Sequence, residues 1–266
     1  MNFSDSAIGL AFLVTIFAGL STGIGSLIAL LAKSTNKKFL CGALGFSAGV
    51  MIYISFMELL PAALKDLILH LGEKQGNLIL ILALFGGMGL IALIDAIVPS
   101  HENPHEPVGV EEMYHKKTLK RVGLMMALSI GIHNFPEGIA TFTAALSNIE
   151  LGIPIAIAIA IHNIPEGIAV AVPIYHATGS KKKAFWLSFL SGLAEPVGAL
   201  VGFLFLMPFW NPLINGIVLA ATAGIMIFIS LDELLPTAKK YGKHHQAISG
   251  LVIGMLFMAF SLYFML

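Results

Sequence analysis

The sequence predicts an all-α, polytopic membrane protein with eight transmembrane helices, and three observations carry that prediction. The chain of 266 residues is 57% hydrophobic and only 11% charged, with a mean hydropathy of +0.89; soluble domains run at about 25% charged. Apolar stretches of the about 20 residues that a helix needs to cross a bilayer recur along the whole length. The basic residues are also segregated: of 15 Lys and Arg, all but Lys65 and Lys74 fall in alternate connections.

Taken in order, the first span (7–32) has only Asp5 before it, lacks a basic leader, and is too long for the apolar core of a signal peptide. It is read as a retained helix. Lys33, Lys37 and Lys38 separate it from the second span (39–63), which holds Glu58 and ends at Pro61. The third span (77–98) carries Asp95 near its end. A connection over 99–120 follows, containing His101, His105, His115 and four acids, and closing on Lys116, Lys117, Lys120 and Arg121. The fourth and fifth spans (121–146 and 151–176) are separated only by a turn around Ser147–Glu150. Lys181, Lys182 and Lys183 precede the sixth span (184–208); the seventh is 213–236, and Lys239, Lys240 and Lys243 precede the eighth (246–265). Cytoplasmic loops collect Lys and Arg, so the basic connections, 99–120 included, are placed in the cytoplasm and both termini outside. The whole chain reads as one multi-pass domain of the cytoplasmic (inner) membrane, with the lipid bilayer as a partner and no nucleic acid. A homodimer stands as an open alternative to a monomer. Cys41, the single cysteine, excludes an intramolecular disulfide and a thiolate metal site.

The acids are distributed in the opposite way. Glu58, Glu137, Glu166, Glu195, Asp232 and Glu233 fall inside predicted spans, and no Lys or Arg shares those interiors. A buried carboxylate without a cationic neighbour is either protonated or paired with something the chain does not encode. A metal cation is the economical partner, protons the competing one. The most specific signal is a string written twice: His133-Asn134-Phe135-Pro136-Glu137-Gly138 and His162-Asn163-Ile164-Pro165-Glu166-Gly167. On a helix, His133 and Glu137 share a face, as do His162 and Glu166, with Asn134 and Asn163 at its edge. The prolines free the carbonyls of Ile132 and Ile161 and are expected to kink both helices, a device tolerated in membranes where a helix lines a cavity.

His133 lies fifteen residues before Asn148 and His162 fourteen after it, so the two strings reach matching depths on antiparallel neighbours. Face to face they offer two imidazoles, two amides and two carboxylates, a mixed set suited to Zn²⁺, Fe²⁺, Mn²⁺ or Co²⁺ and too rich in nitrogen for a dedicated Ca²⁺ or Mg²⁺ site. Ser191-Gly192-Leu193-Ala194-Glu195-Pro196 adds a third carboxylate beside small residues that permit close helix approach. Three carboxylates balance one or two divalent ions.

A second repeat links the halves of the chain. Ala48–Pro61 recurs as Ala223–Pro236 with ten of fourteen positions identical. The loop charges make the two copies antiparallel, and inverted repeats with interrupted helices mark alternating-access transporters. No comparably clear match joins the first span to the sixth or the third to the eighth.

The paired HNxPEG strings, the Ala194-Glu195-Pro196 triplet and the eight spans resemble the ZIP (Zrt/Irt-like) family of divalent metal transporters. That resemblance implies a two-metal site bridged by Glu137 and Glu166, one metal taking His133, Glu137, His162 and Glu166. The other would take Asn134, Glu137, Asn163, Glu166 and Glu195. It further implies that spans 1, 4, 5 and 6 move as a unit against spans 2, 3, 7 and 8. Many members carry a long His-rich connection between spans 3 and 4; here it is short, and its histidines read first as a solvated loop. Glu58, Ser55, Asp232 and Glu233 stay open between helix packing and a place on a cation route.

The function expected is uptake of divalent cations, zinc first, with no bound cofactor and no enzymatic activity. The rival is an intramembrane metal-dependent hydrolase, which needs an open metal position and a general base; no HExxH or GxSxG string supports it. A carrier of an organic substrate coupled to protons or sodium is the third reading, disfavoured by the two imidazole–amide–carboxylate sets.

Overall fold

The computed structural model describes residues 4–31, 37–97 and 116–265, and every regular element among them is helical. In chain order these are α1 (Asp5–Leu31), α2 (Lys37–Ile54), α3 (Leu60–Leu71), α4 (Glu73–Ile97), α5 (Lys116–Ser147), α6 (Ile149–Thr178), α7 (Lys181–Gly192), α8 (Ala194–Val201), α9 (Pro212–Ile229), α10 (Leu235–Tyr241) and α11 (His244–Met265). Short π-helical turns at Ser55–Leu59 and Ser230–Leu234 join α2 to α3 and α9 to α10 into continuous rods. The rod Lys181–Phe209 likewise contains α7, α8 and two short turns. The connection 98–115, with His101, His105 and His115, lies outside the described residues.

Seven of the described helical rods are long and apolar enough to cross a membrane. The fourth expected span, carried by α5, is not among the seven; its polar string, followed by Thr141, Thr143 and Ser147, makes it the least apolar of the eight. The second rod, Lys37–Leu71, overshoots its expected end at residue 63. Pro61 does not stop it, because it sits in the first turn of α3, where a helix has no use for the missing N–H. Gly72, at φ 78°, does.

Neither proline of the repeated string interrupts its helix: α5 and α6 run unbroken through Pro136 and Pro165. A proline removes one backbone bond, and packing on neighbouring backbone holds the helix through it. The interruption falls instead at Leu193, two residues before Glu195. Asn148 alone forms the turn between α5 and α6, its side chain accepting the Glu150 N–H at 2.9 Å.

Helix α1 packs on α6, α2 on α11, α4 on α9, and α5 on both α6 and α8. Glycines set these crossings: a Cβ at Gly25, Gly45, Gly49, Gly87, Gly138, Gly167, Gly198 or Gly224 would overlap the backbone carbonyl of a neighbouring helix. Small residues bring helices this close in lipid, where packing rather than hydrophobic exclusion drives association. Large apolar side chains such as Leu82, Phe85, Leu256 and Phe260 point outward from α4 and α11, the arrangement a lipid solvent favours.

The close contacts recur in pairs. Gly138 abuts the Glu195 carbonyl as Gly167 abuts that of Thr22; Gly198 meets Phe135 as Gly25 meets Ile164. Gly224 meets Leu84 as Gly49 meets Leu251, and Gly87 meets Ala221 as Gly254 meets Phe46. Three constant offsets generate all four pairs: 173 (22 to 195, 25 to 198), 175 (46 to 221, 49 to 224) and 167 (84 to 251, 87 to 254), with the two strings exchanging (138 with 167, 135 with 164). Offset 175 also carries the π turn from Ser55 to Ser230, each hydroxyl donating at 2.7 Å to the carbonyl four residues back (Met51, Met226).

Candidate metal centre

The polar strings meet where α5, α6 and the α7–α8 break converge on α1. Asn134, Glu137, His162, Asn163, Glu166 and Glu195 are all completely buried. His133 lies on α5 one residue before Asn134, and its imidazole is outside the described side chains. No Lys or Arg occurs from 122 to 180 or from 184 to 238, so three carboxylates share the interior with no cationic residue of their own helices.

Their contacts knit the strings together. The Nε2 atom of His162 stands 3.5 Å from Oε2 of Glu137, which brings the face of α6 against that of α5. The Asn163 amide donates to the Ala18 carbonyl at 3.1 Å and to Oε1 of Glu195, joining α6 to both α1 and α8. The Asn134 amide donates to the Ser191 carbonyl at 3.2 Å, at the end of α7. Both amide nitrogens are therefore engaged, that of Asn134 by backbone and that of Asn163 by backbone and Glu195, leaving the amide oxygens as the open ends of the two side chains. Those oxygens, Asn134 Oδ1 and Asn163 Oδ1, make no hydrogen bond among the described residues, nor do Glu195 Oε2 and Glu137 Oε1. Buried acceptors without donors are costly, and a set of them points to a cation as the missing partner. Oxygen atoms of amides and carboxylates beside imidazole nitrogen are what a divalent transition metal binds.

As the described side chains stand, no three of His, Cys, Asp and Glu close to metal-ligand distance of one point. The five described polar residues of the strings and Glu195 are thus neighbours around one polar interior rather than a finished coordination shell.

Residues that the sequence reading passed over support the site. The Ser47 hydroxyl of α2 donates to the His162 carbonyl at 3.3 Å, and Thr141 donates to the Glu137 carbonyl at 2.8 Å. Ser188 links α7 to the Gly167 carbonyl at 3.1 Å and accepts from Ser26 of α1 at 2.6 Å. Serine and threonine inside apolar spans are the signal for such residues, but their abundance hides which ones matter. Glu58 is half-buried and Asp232 exposed, both away from this cluster, while Glu233 is buried at the π turn.

Comparison with known proteins bears on this geometry. Residues 98–262 match a family model described as ZIP zinc transporter. The chain is 60% identical over 253 residues to the zinc transporter ZupT of Streptococcus mutans, covering 95% of this chain and 96% of that one. It is 56% identical over 270 residues to the ZupT of Clostridium perfringens, with 95% of each chain covered, and 58% identical over 259 residues to that of Oceanobacillus iheyensis, with 95% and 97% covered. A family model spanning more than half the chain, and relatives this similar over nearly their whole length, leave one conclusion: the chain belongs to the ZIP zinc transporter family.

Proposed function

We propose that this protein is a membrane transporter that takes up divalent transition-metal cations, zinc first, into the cytoplasm through the polar interior formed by α1, α5, α6 and α8. The observation that carries the proposal is the buried trio Glu137, Glu166 and Glu195, with the side-chain oxygens of Asn134 and Asn163 unbonded among the described residues and no Lys or Arg from 122 to 180 or from 184 to 238. The relatives named zinc transporters put Zn²⁺ first; the mixed imidazole, amide and carboxylate donors extend the class to Fe²⁺, Mn²⁺ and Co²⁺. The cations are substrate, and the protein is not an enzyme.

In this reading one cation takes His133, Glu137, His162 and Glu166, and a second takes Asn134, Glu137, Asn163, Glu166 and Glu195. A cation arriving from outside exchanges its water for these donors and leaves to the cytoplasm when access changes. The paired glycine contacts support a chain built as inverted repeats, and the 13-to-2 bias of basic residues supports both termini outside in the cytoplasmic membrane. A pair of copies would cover part of the exposed apolar face of α4 or α11, which cross-linking in membranes tests.

Purified protein in liposomes should accumulate ⁶⁵Zn²⁺, and Glu166→Ala, folded as judged by gel filtration and melting, should not. Wild-type uptake by that variant would overturn the site; absence of any flux by the wild type would overturn the function.

A further inference from the structure

Thr22 of α1 is fully buried, and its hydroxyl makes no hydrogen bond among the described residues. Other threonines in these helices behave differently. Thr15, Thr141, Thr143 and Thr178 each donate to a backbone carbonyl three or four residues back, at 2.7 to 3.1 Å. For Thr22 those acceptors are the Ala18 and Gly19 carbonyls; the first is already taken by the Ser21 hydroxyl at 2.6 Å and by the Asn163 amide at 3.1 Å, and Oγ1 of Thr22 bonds to neither. The Thr22 hydroxyl is thereby left to look outside its own helix.

Its place is set by the repeated contacts. The offset of 173 that maps Gly25 onto Gly198 also maps Ala18 onto Ser191, Gly19 onto Gly192 and Thr22 onto Glu195. Asn163 donates to Ala18 as Asn134 donates to Ser191. Gly19 and Gly192 abut each other's carbonyls, with the Cβ of Glu195 beside the first and the Cβ and Oγ1 of Thr22 beside the second. Thr22 therefore stands on the α1 side of the polar interior where Glu195 stands on the α8 side, and it is related to Asn134 as Glu195 is to Asn163. Asn163 and Glu195 are joined by a hydrogen bond, whereas Thr22 Oγ1 and Asn134 Oδ1 are both without one.

We propose that Thr22 is a further residue of the cation path: its hydroxyl oxygen, with the side-chain oxygen of Asn134, receives the divalent cation or a water bound to it on the α1 side. The proposal rests on the metal reading of the two strings and adds an asymmetry to it. One half of the interior carries a carboxylate, Glu195, and the equivalent place in the other half carries a neutral oxygen.

The test compares Thr22→Val, which keeps the shape and removes the oxygen, with Thr22→Ser, which keeps the oxygen. Zn²⁺ affinity is read on purified protein by chelator competition, and ⁶⁵Zn²⁺ uptake in liposomes gives KM and the maximal rate separately. Thr22→Val should weaken Zn²⁺ binding by about tenfold, the size of effect that groups orienting a metal commonly produce. It should raise KM in step, leave the maximal rate within about twofold, and Thr22→Ser should restore both. Wild-type affinity and KM in folded Thr22→Val would overturn the proposal. So would a loss confined to melting temperature, which is the mark of a packing role. Should Thr22→Val not fold, Thr22→Ala gives the same readout. Glu166→Ala run in parallel separates the levels: if it binds and transports normally, the metal reading itself falls; if it is dead while Thr22→Val is normal, only Thr22 is excluded.

Discussion

Glu137, Glu166 and Glu195 are three acids at 0% exposure in helices that hold no Lys or Arg at their depth. Such groups are neutralised by protons or by a bound cation, and the two compete. Metal ligands must be deprotonated, so Zn²⁺ binding releases protons and its affinity should fall as pH drops from 7.5 toward about 5.5. A pH series of Zn²⁺ titrations, with proton release recorded in weakly buffered solution, measures this; affinity independent of pH would contradict a carboxylate-and-imidazole site. Glu195→Gln keeps the contact with Asn163 but removes a charge. It should weaken Zn²⁺ affinity by about 10- to 100-fold, the range seen when metal-site groups are altered.

At the scale of elements, the helices are placed by what they lack. Gly25 and Gly167 let α1 and α6 touch backbone to backbone, and Gly138 and Gly198 do the same for α5 and α8. Gly25→Val would force away the carbonyl of Ile164, inside the string that carries His162 and Asn163. The expected cost is about 1–3 kcal/mol of stability by overpacking, seen as a lower melting temperature in detergent, together with loss of uptake. Asn148 ties the single-residue turn that sets both strings at one depth. Asn148→Ala should cost about 1 kcal/mol as a lost cap. Because the cap is exposed and far from the carboxylates, Zn²⁺ affinity should stay unchanged in that variant.

For the whole molecule, four pairs of close glycine contacts and two π turns recur at constant offsets, the observation on which the proposed repeat rests. The proposal that the two halves run oppositely, argued from the loop charges, is open to direct measurement. Cys41 is buried, so wild-type protein should resist membrane-impermeant maleimides. A cysteine placed at Ser4 or Lys74 should label from outside intact cells, and one placed at Lys182 or His244 only after permeabilisation. Labelling of the second set in intact cells would invert the topology.

Composition and spacing by themselves determined most of the architecture, because crossing a bilayer demands about 20 apolar residues whatever the tertiary contacts. They also singled out the candidate residues of the proposed site: a polar string is so costly in lipid that its mere presence, twice, signals function. Depth matching around Asn148 followed from the fixed rise of a helix. What the sequence could not determine was where helices end when the stop is a backbone conformation, as at Gly72, or continue because neighbours hold them, as at Pro136 and Pro165. Nor did it reveal the relation of the first span to the sixth. Residues 18–25 and 191–198 share only Gly19/Gly192, Leu20/Leu193 and Gly25/Gly198, since crossing geometry constrains the glycines and leaves the other side chains free. Only the folded chain fixes which backbone each glycine touches, and that register alone places Thr22 opposite Glu195.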